Sequence, residues 1–118
     1  MKIYGDHPWQ NQTADLEPAR YFNLAIDQIN KVEEWMRTSN EASQALLLHI
    51  DVFVHLSKRY SDVAIMRVES LNVNQLKQTF NDWFERVNKK IPAQFREGIR
   101  ASAAELFDEL DKLEEQAD

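Results

Sequence analysis

The stretch ALLLHIDVFVHL, Ala45–Leu56, has nine apolar residues in twelve, and its reading as helix or strand decides the fold. That is too many for one stripe of an amphipathic helix, so this segment is the most buried element of the chain. The gathering of β-branched residues over Ile50 to Val54 admits a strand. The helix reading, from about Glu41 to Tyr60, is the one adopted.

Upstream, Phe22, Ala25, Ile29, Val32 and Met36 recur at steps of three and four, which predicts a helix with one apolar face. Asp15 is its expected N-cap, with Pro18 inside the first turn. Thr38-Ser39-Asn40 reads as a stop and a new cap, and the short connection makes the second helix antiparallel to the first. Residues 1–12 show no helical period and read as an extended arm, with Trp9 as its large apolar anchor and Ile3 and Tyr4 in support.

Downstream, Ser61 and Asp62 can cap Val63–Val68, which is read as helix because no second clear strand exists to pair with it. The helical period returns from Val73 through Leu76, Phe80, either Trp83 or Phe84, Val87 and Ile91. Pro92 suits a first helical position. Phe95, Ile99, Ala103, Leu106, Leu110, Leu113 and Ala117 then form a bundle-type seam. Gly98 inside it suggests close approach of another helix. Val32–Arg37 (VEEWMR) and Asn81–Arg86 (NDWFER) resemble each other over a span too short to establish duplication. The fold class is therefore all-α: a four-to-five-helix up-down bundle, with residues 1–12 as the arm and 13–118 as a single helical domain.

The totals bound the function. With 118 residues, no cysteine and no apolar leader, the chain reads as one cytoplasmic domain. Ala45–Leu56, interrupted by His49, Asp51 and His55, is shorter than the ~20 apolar residues of a membrane span. The net charge of −6 argues against a dedicated nucleic-acid binder. Its distribution is polarised: residues 1–57 carry −4, residues 58–100 carry +4, and residues 101–118 carry −6.

Catalytic patterns are missing. Two glycines leave no phosphate-cradling loop and no nucleophile elbow. Asp51 and His55 have legitimate ligand spacing, but a metal needs three or four ligands, so an Asp–His hydrogen bond is the plainer reading. Glu33-Glu34 and Asp108-Glu109 read as solvated charges. No cofactor, no metal and no catalytic residue is expected.

Binding remains. Glu105, Asp108, Glu109 and Asp111 crowd the end of the last helix, where carboxylates oppose the helix dipole. Three explanations compete: a solvated end, pairing with the basic stretch within the chain or across a homodimer, and a partner protein with a basic surface. Tyr21, Leu24 and Trp35 fall off the first stripe, and Trp83 and Phe84 are not expected to point inward together. Trp35, Trp83, Glu105, Asp108, Glu109 and Asp111 are thus the candidate partner-binding residues. The expected function is non-catalytic protein–protein binding. In general character only, the chain resembles small acidic immunity proteins, antitoxins, chaperones and accessory subunits. The alternative is a nucleic-acid-associated subunit using Arg86, Lys89, Lys90, Arg96 and Arg100, beside the aromatics Trp83, Phe84 and Phe95.

Overall fold

The computed structural model describes residues 12–117, with side chains from Glu17 onward. Every regular element among them is helical: α1 (Gln12–Met36), α2 (Ala45–Arg59), α3 (Ser61–Arg67), α4 (Val73–Val87) and α5 (Ala93–Ala117). Single 3-10 turns, Val68–Ser70 and Asn88–Lys90, follow α3 and α4. Both Ile50–Val54 and Val63–Arg67 are helical, so neither strand reading stands.

The arm proposed for residues 1–12 lies outside the described residues, except that Gln12 already belongs to α1. The helix thus already includes the three residues before the expected cap at Asp15. Pro18 consequently sits deeper in the helix than its first turn, where it removes one rung of the hydrogen-bond ladder. α2 begins at Ala45, four residues later than expected. Ser39 and Ser43 hydroxyls accept from the amides of Glu41 and Ala45, which stabilises a turned connection over 37–44 instead.

The main packing pairs are α1 with α2, α2 with α5, α5 with α4, and α4 with α1. These close a four-helix square in which α2 and α4 lie on a diagonal. α3 packs on α1, α2 and α5, and carries the chain across one end of that diagonal. α1 and α2 are antiparallel, as are α4 and α5. The diagonal crossing makes α1 and α4 run parallel, and α2 and α5 likewise. Cross-helix bonds show the register: Thr79 meets Glu33 and Arg86 meets Met36.

The core holds Phe22, Ile29, Met36, Leu46, Ile50, Phe53, Leu76, Trp83, Val87 and Leu110, all essentially inaccessible. Phe22 and Phe53 join α1 to α2 edge to face, at 5.1 Å between centroids. Phe80 and Phe107 join α4 to α5 similarly, at 5.9 Å. Two sequence expectations change here. Phe84 and Trp83 are both buried, because α4 is covered on two sides. The 37–44 connection covers Trp83, whose Nε1–H donates to the Glu41 carbonyl at 2.9 Å. Arg100 of α5 lies over the Phe84 ring, 5.0 Å from its centroid. Phe95, placed on the seam, is instead exposed. It lies at the bundle end, beside Pro92 and the 42–44 segment.

Gly98 has nothing within 4 Å of where a Cβ would stand, so no helix approaches closely there. Gly98→Ala is accordingly expected to stabilise the protein by about 1 kcal/mol through helix propensity alone. Thermal denaturation checks this, and a loss of stability would reveal a contact at that position.

Candidate functional site

Perturbed titratable groups are the usual markers of a reactive site. Among the described residues, the carboxylate held away from its ordinary range is Glu33. Burial on its own would raise its pKa. The Arg37 and Thr79 hydrogen bonds, the Arg37 charge and Gln75 outweigh burial and hold it below the ordinary glutamate value. Arg37 grips it through Nε at 2.8 Å and Nη2 at 2.9 Å, and the Thr79 hydroxyl donates at 2.7 Å. Gln75 in turn donates to Thr79 Oγ1 at 3.2 Å. Glu33 was expected to be a solvated charge like its neighbour; only Glu34 is exposed. It occupies the α1 face that meets α4, and both its oxygens already have partners. This is a structural clamp between parallel helices.

The Asp51–His55 pair forms as the plainer sequence reading had it. His55 Nδ1 lies 2.9 Å from the Asp51 carbonyl and 3.2 Å from its carboxylate. No group of three or more acids and histidines is placed to hold a metal ion among the described residues.

The basic stretch lies at the surface, but most of its cations make contacts within the chain. Arg86 donates to the carbonyls of Met36 at 2.5 Å and Ser39 at 3.1 Å, and Lys90 donates to that of Asn40 at 2.6 Å. Arg86 satisfies the open Met36 carbonyl at the C-terminus of α1, where a cation complements the dipole, and Arg86 and Lys90 also hold the Ser39 and Asn40 carbonyls of the following connection. Arg96 donates to the Ile91 carbonyl at 2.9 Å, and Arg100 covers Phe84. Lys89 stands exposed.

The acidic residues of α5 point different ways. Asp111 faces α4 and pairs with Lys77 at 2.6 Å. Asp108 pairs with Lys112 at 3.2 Å and Glu109 approaches it at 3.7 Å, both within the helix. Together they raise the Lys112 pKa, the Asp108 hydrogen bond first. None of these acids reaches Arg86, Lys89, Lys90, Arg96 or Arg100, so that intrachain pairing does not form among the described residues. Glu105 turns toward α2. Trp83, a candidate contact residue, is 1% exposed and belongs to the core, while Trp35 is 41% exposed on α1.

Glu105 lines a groove between the parallel helices α2 and α5, about 580 Å³ in volume. Its apolar surface comes from Leu47, Leu48 and Leu106; Leu48 is 60% exposed. Its charged lining residues, Asp51 and Glu105, are both carboxylates. A smaller depression of about 320 Å³ between α4 and α5 differs: it holds Lys77 and Arg100 together with Asp108 and Asp111, and is internally neutralised. One helical turn along α2, Val52 extends the exposed ridge begun by Leu48. Sequence reasoning missed this groove. Leu48 and Val52, spaced i, i+4 opposite the core residues Ile50 and Val54, were its available signal.

Among the described residues, the fold is all-α, with five α-helices and an acid-lined groove between α2 and α5. No protein-family model matches the chain, and neither a curated protein nor a solved structure matches it.

Proposed function

We propose that this is a non-catalytic, acidic helical protein that acts by binding another protein, in the manner of a regulatory protein, an accessory subunit or an immunity or antitoxin protein. The α2–α5 groove receives a basic, amphipathic segment of that partner. The observation that carries the reading is the pairing of exposed Leu48 with two carboxylates and no cation along one groove. An apolar strip with acidic rims favours a helix bearing leucines on one face and lysines or arginines beside them. The titratable groups support a non-catalytic role, since the clamped Glu33 has no open face for a substrate. The nucleic-acid alternative has less in its favour, because Arg86, Lys90 and Arg96, although solvent-accessible, already donate to backbone carbonyls.

A synthetic peptide with Leu and Lys at helical spacing is a suitable probe, read by fluorescence anisotropy at low salt. Leu48→Asp and Glu105→Lys are each expected to weaken binding at least ~10-fold, as removal of a central contact does. The same affinity for both variants and the parent would remove the groove from consideration. A shift assay with short duplex DNA serves as the opposing control: retardation that Lys89→Glu abolishes would favour the basic stretch.

A further inference from the structure

We propose that the recess at one end of the bundle, where the 42–44 segment faces the start of α5, binds a small aromatic carboxylic acid whose carboxylate pairs with Lys90. The recess borders the α2–α5 groove at Gln44, but the proposal stands independently of the role read there.

Its volume is about 320 Å³, at the small end of ligand pockets, which run from roughly 300 to 1,000 Å³. That space suits one ring with a short acidic tail. Trp83 and Ile91 are nearly inaccessible and close the floor, while Phe95 and Ile99, one turn apart on α5, form a wall. Phe95 is 53% exposed, so its ring offers an open aromatic face to a guest.

The frame of the recess is held by its own hydrogen bonds. The Trp83 indole donates to the Glu41 carbonyl at 2.9 Å, Arg96 Nε to the Ile91 carbonyl at 2.9 Å, and Lys90 Nζ to the Asn40 carbonyl at 2.6 Å. These bonds tie the connection after α1, the turn after α4 and the start of α5 together. Little ordering cost is then left for binding.

The polar groups select the charge of the guest. Lys90 lines the recess, and no carboxylate does so among the described residues. An ammonium carries three donors; the Asn40 carbonyl takes one and leaves two for an anion. The Ser43 hydroxyl, also in the lining, accepts from the Ala45 amide and keeps its proton to donate. A carboxylate bonded to Lys90 and Ser43 would make charge-assisted contacts beside an apolar wall, where such bonds are strongest. The α2–α5 groove, with two carboxylates and no cation, selects the opposite charge.

The test is a methyl NMR titration of the full chain with 3-phenylpropionate, with 3-phenylpropionamide and 3-phenylpropylamine as its neutral and cationic counterparts. The acid should shift the methyls of Ile91 and Ile99 with a dissociation constant of about 1 mM or tighter, within reach of a ligand this small. The amide should bind at least ~5-fold more weakly, and the amine more weakly still. Lys90→Gln should bring the acid down to the affinity of the amide, whereas Lys90→Arg should keep the preference for the acid. Phe95→Ala should weaken acid and amide alike, about 5-fold, without altering the far-ultraviolet circular dichroism. No methyl shift at about 10 mM acid overturns the proposal. So does equal affinity for acid and amide, or a preference that survives Lys90→Gln. Shifts centred on Leu48 and Leu106 would place the acid in the groove and overturn it too. A peptide ending in phenylalanine that binds where the free acid does not would do the same, and would assign the recess to the chain terminus of a partner.

Discussion

Trp83→Ala is expected to lower the stability of the protein by about 3–5 kcal/mol, the usual loss for a large aromatic removed from a core. The ring is fully buried between α4 and the 37–44 connection and packs against Phe80 and Phe84 at 5.7 and 6.5 Å. Removing it leaves a void that α4 cannot close without disturbing Arg86, whose guanidinium holds the end of α1. The Glu41 carbonyl also loses its indole donor. For a domain of typical stability, ~5–15 kcal/mol, that loss is a large share of the total. Urea unfolding followed by circular dichroism reads it directly. A change below about 1 kcal/mol would mean that the connection is not packed on Trp83 and that the residue is available to a partner after all.

The second large effect concerns Glu33. Glu33→Gln keeps the size of the side chain and a carbonyl acceptor for Thr79. It loses the charge that Arg37 grips with two hydrogen bonds. A destabilisation of roughly 1.5–3 kcal/mol at neutral pH is expected, the range for hydrogen bonds to charged groups. The pH dependence follows from the direction of the shift. The folded-state carboxyl sits below the ordinary glutamate pKa of ~4.3 because its hydrogen bonds and the Arg37 charge prevail over burial. The folded protein therefore holds on to the ionised form more strongly than the unfolded chain does. This contribution is complete above the unfolded value and disappears as the pH falls from there through the lowered folded value. The parent should lose stability over that acid range, and Glu33→Gln should lose less over the same range. Parallel pH profiles for the two proteins would show that the clamp is solvated in solution.

The helices were legible because their apolar residues repeat at helical spacing. Phe22, Ile29 and Met36 on α1, and Ile99, Ala103, Leu110 and Leu113 on α5, are buried where that spacing places them. Glu33 was misread although a signal existed. It falls four residues after Ile29 and three before Met36, at a core position of the same stripe, and Arg37 follows one turn later. The burial of both Trp83 and Phe84 was not readable locally, since it depends on a connection that folds over α4. The internal roles of Arg86 and Lys90 were hidden for a similar reason. The cluster of cations is plain in the sequence, but the carbonyls it meets lie about fifty residues away, brought near by the diagonal crossing of α3. Of the candidate contact residues, Glu105 lines the groove and Trp35 is exposed on α1. Asp108, Glu109 and Asp111 have lysine neighbours.

The amide NMR spectrum of the isotope-labelled chain, titrated with the basic Leu/Lys peptide, tests the binding role most directly. Shifts concentrated at Leu47, Leu48, Asp51, Ser102, Glu105 and Leu106 are expected, with the buried residues of α4 unmoved. Shifts confined to the neighbourhood of Lys89 and Arg100, or none at saturating peptide, would contradict it.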